Sequence, residues 1–343
     1  VTAGTPAAPL SDLERRLVDG FQRDFPLVAR PWSAIAARLR TTEPEVTRIV
    51  SQRLADGVLS RVGAVFRPNV IGASTLAAIA VPPERIDAVA AIVSSRPEVN
   101  HNYAREHEVN LWFVATAADA QGLDTALDAI GAATGLPLMR LPLVRDYWID
   151  LGFPLDGASR KAAPVRIARP VAPLALDARE RALVHALEDG LAAEPRPFAA
   201  LARRAGASED WVLGRIAGWL SRGAISRFGF VVRHRALGYG ANAMCVWDVP
   251  DAAADAAGGA LAREPGVTLA YRRARADGWP YNLYAMIHGR ERAAVESRRD
   301  AIAAATGLDR HPHAVLFSTR AYRQRGARYG APAPDALPFP MSA

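Results

Sequence analysis

Cysteine is nearly missing from this chain: Cys245 is the only one in 343 residues. That excludes an intramolecular disulfide and any all-cysteine metal site, and the flanking AMCVW marks the residue as core. Lysine is as scarce, Lys161 standing alone, so the cationic side is written in arginine. No apolar run reaches the roughly 18–20 residues of a membrane helix. The opening VTAGTPAAPLSDLERRLVDG has no basic segment leading into a hydrophobic one, so no secretory signal is expected and the expected location is cytoplasmic. Also lacking are GxGxxG after a strand, GxxxxGK, HExxH and GxSxG, which removes dinucleotide, P-loop, zincin and serine-hydrolase chemistry.

What is present is ample core material, 50% hydrophobic, in a length that suits two to four domains. The net charge of +7 is unevenly placed: residues 1–150 hold 15 Arg and 17 Asp or Glu, a balance of −2, which leaves +9 for the remainder. A nucleic acid, a polyanionic small molecule and a solvated basic surface all fit such a balance.

The chain is written twice. SDLERRLVDG opens with Ser11 and, three residues on, Glu14, the spacing of a capping box. Two further helices and a strand over residues 59–66 complete a winged helix-turn-helix. The same order returns between residues 177 and 232. Leu54, Gly57, Ser60, Arg61 and Gly63 map at a constant offset of 166 onto Leu220, Gly223, Ser226, Arg227 and Gly229. After each unit comes a β-α-β-β-α-β pattern, the ferredoxin-like arrangement. The expected class is therefore α+β, with a winged helix-turn-helix at 10–67, a ferredoxin-like domain at 68–150, a proline-rich linker at 151–174, a second winged unit at 175–233 and a second ferredoxin-like domain at 234–330. The tail after Tyr329 is again proline-rich.

DNA binding is disfavoured. The candidate recognition helices begin TTEPEVTRIV and ASEDWVLGRI, which puts Glu43, Glu45, Glu209 and Asp210 where phosphates would lie.

The chemistry concentrates in two matching stretches, HNYAREHEVNLWFVAT at 101–116 and YRRARADGWPYNLYAMIHG at 271–289. The first offers His101, Tyr103, Arg105, His107 and Asn110; strand alternation puts the odd-numbered ones on one face. Two imidazoles around an arginine suit carboxylate binding with proton transfer near neutral pH, or ligation of a haem-type iron. The second offers Tyr271, Arg272, Arg273, Arg275, Trp279, Tyr281 and Asn282, without the paired histidines. RAYRQRGARY adds Arg320 and Arg323. Guanidinium forks beside aromatics match a planar, polycarboxylated ligand held between the halves.

Winged-helix plus ferredoxin-like units resemble the feast/famine (Lrp/AsnC-like) regulators. NYxRxHxxNLWF at 102–113, LSRxGAVF at 59–66, WPYNLYxMIHG and STRxYxQRGARY resemble more closely the siroheme decarboxylases built on that architecture, here with two subunit-like halves fused. The resemblance implies conversion of siroheme to 12,18-didecarboxysiroheme on the way to haem d1 or haem. No separate cofactor is implied, the iron entering as part of the substrate. It also implies His101 or His107 as proton donor, with Tyr103 and Arg105 alongside, and the arginines of the second half as carboxylate clamps. It further implies one composite pocket between the halves, and it is compatible with a dimer of fused chains. A ligand-responsive regulator and a haem carrier are the competing readings.

Overall fold

A computed structural model describes residues 10–149, 171–233 and 238–329. The expected linker falls outside them as far as residue 170, and the tail after Tyr329 falls outside entirely. Helix α1 (Asp12–Gly20) begins as its sequence dictates: Ser11 Oγ accepts from the Glu14 amide, and the Glu14 carboxylate accepts from the Ser11 amide at 2.8 Å. Asp177 and Glu180 repeat the device at α6 (Ala178–Glu188). Helices α2 (Pro31–Leu39) and α3 (Glu43–Ala55) complete the first unit, and α7 (Pro197–Ala205) and α8 (Glu209–Ser221) the second. Three of the four acids at the starts of α3 and α8 are paired within their own winged unit. Arg30 pairs with Glu43 at 2.6 Å, Arg48 with Glu45 at 2.7 Å, and Arg196 with Glu209.

The strand expected as a wing, β1 (Leu59–Phe66), pairs antiparallel with its counterpart β6 (Ile225–Val232), Gly63 opposite Gly229. The two winged units thereby share one core, with Phe25 and Trp32 packed on Phe228 and Phe230. Gly229 is required by close approach. A Cβ there would stand 2.2 Å from the Phe21 carbonyl oxygen, a backbone atom that cannot swing away. Gly229→Ala should cost about 1–3 kcal/mol or more. Gly214→Ala, inside α8 with open space at its Cβ, should instead gain roughly 0.5–1 kcal/mol. Urea unfolding of the two variants would show opposite signs, and equal midpoints would refute the packing argument.

Each half then adds four strands and two helices: β2 (Ala73–Ile79), α4 (Ile86–Ser95), β3 (Val99–Arg105), β4 (Leu111–Ala117), α5 (Ala120–Thr134) and β5 (Met139–Ile149) in the first. The second has β7 (Ala241–Trp247), α9 (Asp251–Leu261), β8 (Val267–Arg273), β9 (Leu283–Gly289), α10 (Arg292–Thr306) and β10 (His313–Gln324). The expectation of two open ferredoxin-like sheets is overturned by how these strands pair. They form one closed eight-stranded barrel in the order β10-β3-β4-β2-β5-β8-β9-β7. The reason lies in the last strand of each half. β5 has 11 residues and β10 has 12, whereas the other six have 7 each. The first part of each long strand pairs within its own half, β5 with β2 and β10 with β7. The remainder crosses over, β5 to β8 and β10 to β3. Open sheets would leave edges of unpaired amides and carbonyls; closure satisfies them.

The helices lie on the outside over two apolar clusters, one in each half. A third cluster, including Leu76, Trp112, Met244, Tyr271, Trp279 and Tyr284, fills part of the interior. Arg67 ties the first winged unit to the barrel through Asp146, Nη2 to Oδ2 at 2.5 Å, with both side chains largely buried. No helix among the described residues is long and apolar enough to cross a membrane.

Candidate active site

The interior face of the barrel does not fill completely. A cavity of about 330 Å³ opens at the end that meets the winged units, and both halves line it. Strand alternation delivers His101, Tyr103 and Arg105 from β3, and Leu269, Tyr271 and Arg273 from β8. The two strands correspond at an offset of 168, so Tyr103 and Arg105 are the twins of Tyr271 and Arg273. Each pair is built alike. Arg105 lies over the Tyr103 ring at 5.7 Å and Arg273 over Tyr271 at 4.6 Å. Each guanidinium also reaches across the seam to a carbonyl of the other half, Arg105 Nη1 to Leu316 O at 3.0 Å and Arg273 Nη1 to Leu141 O at 2.7 Å.

A register shift at the start of each of these strands turns two successive residues toward the interior polar network, Asn100 with His101 and Thr268 with Leu269. In the first half Asn100 Nδ2 donates to Thr116 Oγ1 at 2.9 Å, and Thr116 donates to Ser74 Oγ at 3.1 Å. Asn100 Oδ1 is thus the acceptor 2.7 Å from His101 Nδ1. Nδ1 therefore carries the hydrogen and Nε2 is the basic nitrogen. In the second half the imidazole has moved to the neighbouring strand. His288 stands where Thr116 stands; its Nε2 accepts from Asn242 Nδ2 at 2.9 Å, and its Nδ1 donates to Thr268 Oγ1 at 2.9 Å. Both nitrogens of His288 are engaged within its own half, whereas His101 has one committed.

Burial first, and the nearby Arg61 guanidinium second, push His101 down to about 4 from its ordinary 6.5. The folded protein then binds fewer protons than the unfolded chain between those values. Stability on this account is full above about pH 6.5 and falls as pH drops toward 4, by up to about 1.4 kcal/mol per pH unit. His101→Gln should flatten that acid limb in unfolding titrations; an unchanged limb would assign it to other groups.

The other residues singled out from the sequence lie elsewhere. His107 follows β3, accepts the Val109 amide at Nδ1, and packs edge-on to Trp279; burial lowers its pKa. Trp279 contacts Trp112, so two indoles stand between His107 and the cavity. Tyr281 packs on Trp279 at 4.9 Å. Asn110 clamps both backbone groups of Val81, and Asn282 does the same to Val249. Arg272 faces outward to Asp251 and Asp255, and Arg275 to Asp248 and Asp251. Arg320 pairs with Asp87, and Arg323 donates to the carbonyls of Ser94 and Arg96. Tyr271, noted in the sequence as the counterpart of Tyr103, lines the cavity, whereas His288 and Arg61 were not singled out for the site. His288 follows from the alternation Tyr284, Met286, His288. Arg61 carried a signal, the repeated Ser-Arg-x-Gly, but one that packing explains equally well.

Comparison with known proteins agrees with this architecture. Residues 71–147 and 236–323 match the AsnC-like ligand binding domain, and residues 14–59 and 180–225 match the siroheme decarboxylase NirDL-like HTH domain. The siroheme decarboxylase NirDL subunit of Paracoccus pantotrophus is 50% identical over 320 residues, 93% of this chain and 97% of that one. The NirD subunit of Pseudomonas aeruginosa is 49% identical over 149 residues, 43% of this chain and 99% of that one. A crystal structure of the siroheme decarboxylase NirDL in co-complex with an iron-uroporphyrin III analogue superposes with TM-score 0.65 at 26% identity, covering 93% of each chain. The chain belongs to the siroheme decarboxylase family, as two subunit-like halves joined in one polypeptide.

Proposed function

We propose that this chain converts siroheme to 12,18-didecarboxysiroheme, with the ring bound in the barrel cavity and no separate organic cofactor. The observation that carries the reading is the pairing of one half-committed imidazole with two Tyr–Arg pairs in a cavity to which both halves contribute. Each decarboxylation breaks the bond between an acetate CH2 and its carboxylate. The electron pair stays on the CH2 carbon, delocalised into the macrocycle; CO2 leaves, and a proton completes the methyl group. Each event thus consumes one proton.

His101 is the proposed acid, because Nε2 is the nitrogen left to take up a proton. Burial and the Arg61 charge keep it neutral at pH 7. A ligand with eight carboxylates reverses the local field and favours the imidazolium, so the acid is charged when there is something to protonate. Arg105 and Arg273 are proposed to hold carboxylates that survive. A clamp on the departing one would stabilise the ground state. Tyr103 and Tyr271 are proposed to orient those guanidiniums, each of which lies over its tyrosine ring.

Anaerobic incubation with siroheme followed by mass spectrometry tests the reading, the expected product having lost two CO2. Bound but unaltered siroheme would indicate a carrier. Sequence-specific DNA binding without mass loss would indicate a regulator, a reading that the internally paired acids Glu43, Glu45 and Glu209 disfavour.

A further inference from the structure

The duplicated Ser-Arg-x-Gly sequence places Arg61 and Arg227 at equivalent positions of the paired strands β1 and β6. Their surroundings differ. Arg227 is buried in the winged-helix core, and its Nη1 donates to two backbone carbonyls, Gln22 at 3.0 Å and Phe230 at 2.9 Å. Arg61 keeps one of these bonds, Nη2 to Ala64 O at 2.7 Å, Ala64 being the twin of Phe230. The second is gone. Its Nε has no hydrogen-bond partner, and the carboxylate that acts on it, that of Glu188, does so without an ion pair among the described residues.

Instead the Arg61 guanidinium lines the cavity. The segment following β10 passes over it. Arg325 N donates to Asn100 O at 2.9 Å, Tyr329 N to Glu188 Oε1 at 2.6 Å, and the Tyr329 ring packs on Phe66 at 6.1 Å. Between those anchors Gly326 lies against Arg61, so closely that a Cβ would stand 2.4 Å from Nη1. A desolvated guanidinium that holds one hydrogen bond, where its twin holds two, has donors left to take an anionic group. Its charge is felt at His101, which fixes the side of the cavity on which it acts.

We propose that Arg61 is a substrate-binding residue supplied by the first winged-helix unit, and that it holds the propionate adjacent to the acetate undergoing cleavage. The inference rests on the siroheme reading above. Within it, a group beside His101 must leave the reacting acetate free, and on the same pyrrole ring the neighbouring carboxylate is a propionate. The winged unit is then a wall of the active site. A propionate at Arg61 also offsets the one positive charge that opposes protonation of His101.

The test uses the full chain and two probes, iron-uroporphyrin III with acetates and propionates and iron-coproporphyrin III with propionates alone, followed by Soret absorbance. Arg61→Gln should weaken both by about tenfold or more and in parallel, since each loses the same charge-assisted fork. Arg61→Lys should fall between. With siroheme, KM should rise more than kcat falls. If Arg61→Gln fails to fold, Gly326→Ala, which displaces the guanidinium, should give the same parallel weakening. Weakening confined to iron-uroporphyrin III would mean that Arg61 holds an acetate, and unchanged binding of both would mean that it holds neither; each overturns the proposal. Unmodified protein that binds neither ring would instead overturn the siroheme reading itself.

Discussion

His101→Ala is expected to lower siroheme turnover by roughly 10²–10⁴-fold, the span attached to loss of a positioned general acid, while binding of iron-uroporphyrin III stays within a few-fold. The separation follows from the geometry. In the proposed mechanism, affinity comes from Arg105 and Arg273, which the substitution leaves anchored to Leu316 O and Leu141 O. Protonation of the carbanion falls, in that mechanism, to His101, which, of the two imidazoles lining the cavity, is the one whose Nε2 is not committed to a protein group. Asn100→Ala should produce a weaker version of the same defect, because it removes the acceptor that fixes the His101 tautomer. Single-turnover mass spectrometry under anaerobic conditions is the appropriate measurement. Turnover within threefold of the unmodified chain would remove His101 from the reaction.

Arg105→Gln and Arg273→Gln are each expected to weaken iron-uroporphyrin III binding by about 10- to 100-fold, the worth of a charged hydrogen bond in a desolvated site. Arg272→Gln should leave affinity within about twofold. Arg272 is next to Arg273 in sequence, yet alternation sends it to the outer face, where Asp251 and Asp255 already occupy it. The comparison also separates specific contact from overall charge, since all three variants lose the same single charge. Equal weakening by all three would mean that long-range attraction governs binding. In that case the Tyr–Arg pairs would lose their assigned role.

These two predictions mark where sequence legibility ends. The cap at Ser11 and Glu14, the duplication at offset 166, the buried Cys245 and the common face of His101, Tyr103 and Arg105 are local or periodic features, and such features are written along the chain. Arg273 and Arg272 looked alike because an arginine run by itself carries no sign of which member faces in; the match of Arg273 to Arg105 at the offset of 168 supplies one, and the register against β5 and β9 agrees with it. His107 shares a motif with His101 but falls past the end of β3, behind Trp279. Asn110 and Asn282 looked like ligand contacts because they repeat. They repeat because both halves need the same clamp on a loop backbone. The closed barrel was illegible for a further reason: within one copy nothing states that the second parts of β5 and β10 pair with strands more than 100 residues away.

The joining of two similar halves in one polypeptide has a consequence for what the cavity can recognise. In an assembly of identical subunits every substitution appears at both symmetry mates, so a wall changed on one side is changed on the other. Here Arg61 and Arg227, His101 and Leu269, and Thr116 and His288 sit at corresponding positions but differ in residue or in what they face. A macrocycle whose side chains follow an irregular order around its rim has no two-fold axis. A cavity whose opposite sides vary independently can tell its edges apart.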